Sequence, residues 1–196
     1  MIEIIGAEGE INNVEEIIKK LSRFSLKYNV VVQAVDAEMV YGKNHLISAA
    51  EHAIRSFKEN KNTTKSLAME ILLYAAGVRQ IGDAISKMGI KEKNKGIALV
   101  IIHSIPDLKI GGSLSWDDIK KLIGELKLKL NDDILEGNEA KMRKFGISKE
   151  EKATVEKDKY EDLILEKVAM VDICLLYTSD AADEGLGVDL GGRRII

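Results

Sequence analysis

Gly96-Ile-Ala-Leu-Val-Ile-Ile102 runs for seven residues without a polar side chain, and its reading decides the fold. A short, continuous, β-branched run of this kind is the pattern of a strand buried on both faces. Tyr28-Asn-Val-Val-Val-Gln-Ala-Val35 has the same character and reads as a central strand covered on both sides. Residues 2–5, stopped by Gly6 and Gly9, read as a short strand entering a turn. Between these runs the apolar spacing changes to three and four. Val14, Ile17, Ile18, Leu21 and Phe24 follow the cap candidates Asn12 and Asn13 and predict an amphipathic helix. Its other face, Glu15, Glu16, Lys19, Lys20 and Arg23, reads as a solvated face and not as a binding stripe.

The middle of the chain is helical by the same test. Leu46, Ala49, Ala50, Ala53, Ile54 and Phe57 form one stripe, opened by a loop carrying Lys43 and His45. Leu67, Ile71, Leu72 and Ala75 form a second, for which Thr64 or Ser66 is the natural cap. Gly77 interrupts the pattern, and Val78, Ile81, Ala84, Ile85 and Met88 resume it as far as Gly89. A glycine inside a helix costs about 1 kcal/mol relative to alanine, so the break predicts two helices meeting at a corner.

Residues 103–115, with Pro106, Gly111 and Gly112, read as a loop. Ser115-Trp-Asp-Asp118 is a capping-box start for a helix bearing Ile119, Leu122, Ile123 and Leu126. The charged stretch 131–157, broken at Gly137 and Gly146, predicts weakly packed helix anchored by Ile134, Leu135, Met142 and Phe145. Tyr160, Leu163, Ile164, Val168 and Val171 predict a last amphipathic helix. Strands interleaved with helices define an α/β (α+β mixed) class, a small mixed sheet packed with amphipathic helices in one domain over residues 1–173.

From Cys174 the wording changes to CLLYTSDAADEGLGVDLGGRRII, which holds the only cysteine, two of the arginines and no lysine. It resembles translated sequencing-adapter read-through, so residues 174–196 are expected to be a non-native tail. Gly185, Gly187, Gly191 and Gly192 do not have the spacing of a dinucleotide loop, and no βαβ pattern surrounds them.

Composition narrows the function by exclusion. A net charge of −3 names no partner, although a local basic patch is compatible with it. One cysteine and three scattered histidines match no zinc spacing, and neither a metal nor a cofactor is expected. No leader pattern and no apolar run of about 20 residues is present, which leads to the expectation of a cytoplasmic protein without membrane contact. The phosphate-loop, nucleophile-elbow and H-E-x-x-H motifs are absent. His45 and His52 read as surface or helix-end histidines.

Lys65 to Gly89 sets Glu70, Arg79 and Gln80 on an otherwise apolar helical pair beside Gly77. Arginine is rare in this lysine-rich chain, and its planar five-donor fork suits phosphate, carboxylate or a base face. Pairing with Glu70 or Asp83 explains Arg79 equally well, and both readings stay open on physics alone.

The string Met69-Glu-Ile-Leu-Leu-Tyr-Ala-Ala-Gly77-Val-Arg79-Gln80-Ile81, preceded by Gly42-Lys43-Asn44-His45-Leu46, resembles the TPRKB-type kinase-binding subunit of the KEOPS (EKC) complex. The likeness runs from about Ile2 to Ile173 and includes Gly6-x-x-Gly9-x-Ile11-Asn12-Asn13 and Leu130-Asn-Asp-Asp-Ile-Leu-Glu136. The lysine- and isoleucine-rich composition suits an archaeal version. Loop 103–115 and region 137–158 look longer than that pattern, and Val78 stands where a polar residue is common. The resemblance implies a non-catalytic subunit that docks on a small atypical protein kinase and helps hold tRNA by its 3′ CCA end for threonylcarbamoyladenosine formation. On that reading Lys43, His45, Lys65, Arg79 and Gln80 are the candidates for tRNA contact and Leu67, Ile71 and Tyr74 for kinase contact, while helical periodicity reads most of these apolar positions as core. Two alternatives remain from the residues: a small enzyme acting on an anionic metabolite through Arg79, Glu70 and His45, and a protein-interaction module without RNA contact.

Overall fold

Strand β3 (Gly96–Ile102) is buried at all seven positions because it has a neighbour on each side and helices on each face. In this computed structural model, which describes residues 1–184 with side chains to Ile173, β3 pairs with β1 (Ile2–Glu8) from Ile2 opposite Ile102 to Glu8 opposite Gly96. On its other side it pairs with β2 (Val31–Asp36), from Val31 opposite Ile102 to Asp36 opposite Ile97. A two-residue strand, β6 (Lys129–Leu130), adds outside β1 and completes the order β2-β3-β1-β6. Every pair is antiparallel, which narrows the expected mixed sheet.

Strand alternation splits the core in two. Ala98, Val100 and Ile102, with Ile4 and Val35, face α2 (Gly42–Lys58), α3 (Leu67–Ala76), α4 (Ile81–Met88), α6 (Glu139–Phe145) and α8 (Tyr160–Glu184). Ile97, Leu99 and Ile101, with Ile5 and Ala7, face α1 (Val14–Tyr28) and α5 (Trp116–Glu125). Asn13 caps α1 as expected, and Ser115 with Asp118 closes a true capping box on α5.

Three expectations need correction. The run from Tyr28 is not a central strand: Tyr28 ends α1, Asn29 turns the chain in the left-handed region (φ 50, ψ 47), and β2 lies at the sheet edge. Near-continuous β-branching reports how well faces are covered and says nothing of strand order. Residues 103–115 are not a plain loop, since β4 (Ser104–Ile105) and β5 (Ile110–Gly111) form a ribbon around a 3-10 turn, and Asn29 Nδ2 donates to the Gly111 carbonyl at 3.2 Å. The charged stretch, which also contains α7 (Lys149–Ala153), is not weakly held: Leu135, Met142 and Phe145 are all core residues. The helix that closes the body runs through residue 173 to Glu184, and the glycines at 185–192 lie outside the described residues.

Gly6 is required where the chain returns after α5. A Cβ there would lie 2.3 Å from the Asn131 carbonyl oxygen, which is backbone and is fixed by the Asn131 N–H bond to Gly6 O at 3.0 Å. Gly6→Ala is therefore expected to cost about 1–3 kcal/mol, read as a lower urea midpoint at constant slope. An unchanged midpoint would show that the crossing relaxes freely.

Candidate interaction surface

Helix α3 stops at Gly77 because the chain needs φ 64 and ψ 35 there, and the N–H groups of Gly77 and Val78 return to the carbonyls of Tyr74 and Leu73 at 3.0 and 3.2 Å. Residues 78–80 then turn the chain into α4, which confirms the corner expected at this glycine. A side chain at 77 would press on the Lys167 backbone and Cβ at 3.3 Å, so α8 passes directly over the corner. Lys87 reaches back from α4 to the Ala76 carbonyl at 2.8 Å, and its Nζ sits 3.7 Å above the Phe145 ring. Burial, and then the charge of Lys167, push the Lys87 ammonium down to about 8.

Helix α4 divides its apolar residues between core and solvent. Ala84 and Met88 are buried, whereas Ile81 is 42% and Ile85 47% exposed, one turn apart and flanked by open space at Gly82. The sequence pattern placed all four in one stripe. Two exposed isoleucines at i and i+4, beside Arg79 and Gln80, make an open apolar edge with a polar border.

The proposed contact residues scatter around this edge. Gln80 is exposed at the N-cap of α4, and Arg79 is half-buried beside it. Lys43 lies inside the first turn of α2, exposed and paired with Asp132 at 2.6 Å. Asp132 in turn accepts the Gly6 N–H at 2.7 Å. Lys65 is exposed before the first turn of α3, so about 15 Å of helix rise separates it from Arg79 and Gln80.

His45 is corrected outright. It is fully buried, accepts the Tyr41 N–H on Nδ1 at 3.2 Å, and donates from Nε2 to the Ala75 carbonyl at 2.8 Å. Those partners select the neutral Nε2–H tautomer, and Phe145 packs edge-on at 5.2 Å. Desolvation, helped by Lys87 and Lys141, lowers its pKa to about 4 despite the favourable Ala75 bond. A histidine saturated inside the core does not touch RNA. His52 is half-buried in a cluster and is not simply a surface residue.

Leu67, Ile71 and Tyr74 are corrected as well: all three are core residues of α3 and offer nothing to a docking partner. Helical periodicity had marked the buried face. The Tyr74 hydroxyl donates to Asp172 at 2.5 Å, and the same carboxylate takes Arg55 at 2.6 Å and lies 2.7 Å from His52 Nδ1, tying α8 to α2 and α3.

Glu70 is 1% exposed and caps α3 from within, accepting the Thr63 and Thr64 N–H groups at 3.0 and 2.8 Å and the Thr64 hydroxyl at 2.8 Å. Ser66, at the N-cap position, makes no such side-chain bond. Glu70 therefore faces the start of α3 while His45 bonds near its end, so the enzyme reading finds no convergence of Arg79, Glu70 and His45. Among the described residues, no group of three or more His, Cys, Asp or Glu side chains is placed to hold a metal, and no helix is long and apolar enough to cross a membrane.

The described residues thus form an antiparallel sheet between two helical layers, with an open apolar corner at the start of α4. Residues 9–172 match the family described as kinase binding protein CGI-121, and the chain belongs to that family. It is 34% identical over 146 residues to the regulatory protein Cgi121 of Methanocaldococcus jannaschii, covering 72% of this chain and 83% of that one. It is 39% identical over 74 residues to the KEOPS complex subunit Cgi121 of Pyrococcus abyssi, covering 37% and 42% of the two chains. It is 28% identical over 74 residues to the EKC/KEOPS complex subunit CGI121 of Coccidioides immitis, and that match spans 38% of this chain and 36% of the relative.

Proposed function

We propose that this chain is a non-catalytic, cytoplasmic accessory subunit of a KEOPS complex, that it docks on the small atypical protein kinase of that complex, and that it helps recruit tRNA through the 3′ CCA end. The observation that carries the reading is the open corner, where Ile81 and Ile85 face solvent next to Arg79 and Gln80. An apolar pair with a polar rim is the composition of a protein-docking patch. The names of the KEOPS subunits it resembles supply the complex, and the family description supplies the kinase. The role falls within residues 1–173, to which the family match is confined.

In this reading the kinase takes the exposed face of α4, replacing the buried trio Leu67, Ile71 and Tyr74. The unpaired CCA bases meet Arg79 and Gln80 by edge and stacking contacts, with Lys43 supplying positive charge from the start of α2. Lys65, at the far end of α3, contacts the acceptor backbone. So few cations give modest, salt-dependent affinity.

The test is binding of the chain to tRNA with an intact CCA end and to the same tRNA lacking it, at two salt concentrations. The intact form is expected to bind more tightly, and Arg79→Glu to abolish the difference. Equal affinity for both forms, untouched by Arg79→Glu, would remove CCA recognition and leave kinase docking alone.

A further inference from the structure

On the opposite face of the sheet, α1 and α5 enclose a groove of about 210 Å³ lined by Lys20, Arg23, Lys27 and Lys121 over Phe24 and Tyr28. The three α1 cations recur at three and four, so they share one helix face and extend about 10 Å along it. Lys121 answers from α5. Lys20 and Arg23 belong to the face of α1 that the sequence alone marks as solvated.

The charges in the groove are unequally committed. Asp118 is engaged by the Ser115 N–H at 3.0 Å, the Ser115 hydroxyl at 2.6 Å and the Tyr28 hydroxyl at 2.6 Å. Lys20 is held by Glu16 at 2.6 Å and the Glu125 carbonyl at 2.8 Å, and Lys27 by the Tyr28 hydroxyl at 3.0 Å. Glu125 adds the second carboxylate of the lining. Arg23 and Lys121 make no hydrogen bond or ion pair among the described residues and lie exposed on either side. Beneath them the Phe24 and Tyr28 rings pack with centroids 4.7 Å apart.

We propose that this groove binds single-stranded RNA, with Arg23 and Lys121 on the phosphodiester backbone and the half-buried Tyr28 ring beside a base or sugar. The lining carries four cations and two carboxylates, with Glu16 also paired to Lys20, and the remaining excess of positive charge complements a polyanion. The half-buried Tyr28 ring, with Lys27 4.6 Å from its centroid, sets one aromatic side chain among these cations as in a single-strand site. The choice of RNA rests on the reading that this chain handles tRNA. Because the groove and the α4 corner lie on opposite faces of the sheet, their contributions are separable by mutation.

The experiment measures anisotropy of a labelled oligouridylate of roughly 12 nucleotides, and of tRNA with and without CCA, on the full chain across a salt series. The double variant Arg23→Gln with Lys121→Gln alters only exposed side chains, and an unchanged melting curve verifies its fold. It is expected to bind the oligouridylate and both tRNA forms roughly tenfold more weakly, and to reduce the log–log salt slope by about 1.4, the loss of two phosphate contacts. If the double variant matches the parent while CCA dependence survives, the groove proposal falls and the corner stands. If CCA dependence is missing while the double variant still loses affinity, the corner falls and the groove stands. Failure of the parent to bind the oligouridylate, or equal competition by a polyglutamate peptide, overturns the groove as an RNA site.

Discussion

Glu70→Ala is expected to destabilise the fold by about 3 kcal/mol, a fall of roughly 6–12 °C in melting temperature. The carboxylate is almost wholly buried and accepts two backbone N–H groups and one hydroxyl at the entrance to α3. Charge-assisted bonds of this kind are each worth about 1.5–3 kcal/mol, and removing the acceptor strands its donors. Ser66 offers no substitute, because its side chain makes no capping bond. Glu70→Gln, which keeps one carbonyl acceptor but turns an NH2 toward the same donors, is expected to lie between the two. Urea unfolding of the three proteins measures this. A Glu70→Ala protein as stable as its parent would mean that the carboxylate serves something other than the fold and would revive its role in a reaction.

Acidification is expected to destabilise the protein through His45. The imidazole is buried and neutral with a pKa of about 4, against 6.5 for an unburied histidine, so between those values the unfolded chain binds a proton that the folded chain refuses. Stability from this group is complete above pH 6.5 and drains away as the pH falls to about 4, by an amount on the order of 3 kcal/mol. Carboxylates titrate in part of the same window, so the informative quantity is a difference. His45→Gln should be less stable than the parent at neutral pH, having lost a fitted ring, and the gap should narrow steadily on acidification. A gap constant with pH would show that His45 gains its proton without cost and is less enclosed than its geometry indicates.

The architecture was readable in the sequence where one physical signal dominated. Gly96–Ile102 could be nothing but a buried strand, and Gly77 broke a helix that no alanine would have broken. The capping box at Ser115 was legible because its donors and acceptors are three residues apart. Signals that depend on distant partners were not. Lys129 and Leu130 carry no strand pattern of their own, and they pair only because Asn131 and Asp132 anchor the returning chain on Gly6.

The site was less legible, for a related reason. Apolar residues at helical spacing report that a helix packs, but not which of them the neighbouring layer reaches. In α3 the pattern marked Leu67, Ile71, Leu72 and Ala75, and all four are buried, which leaves Leu67 and Ile71 unavailable as contacts; in α4 the same pattern took in Ile81 and Ile85, which are exposed. His45 reads as a polar helix-start residue until the Ala75 carbonyl and Phe145 are seen to enclose it. The arginine-bearing corner was found because a rare residue sat beside a conformationally necessary glycine.

The central claim, docking of a kinase on the exposed face of α4, is tested most directly by calorimetric titration of the full chain with the small atypical kinase of a KEOPS complex. Ile81→Asp combined with Ile85→Asp places two charges on side chains that are already exposed, so the fold should survive and the unfolding midpoint will verify it. The parent is expected to form a one-to-one complex, and the double variant to bind roughly a hundredfold more weakly or not at all, as for central apolar anchors of an interface. A double variant that binds as tightly as the parent would contradict the account and move the kinase to another face of the molecule.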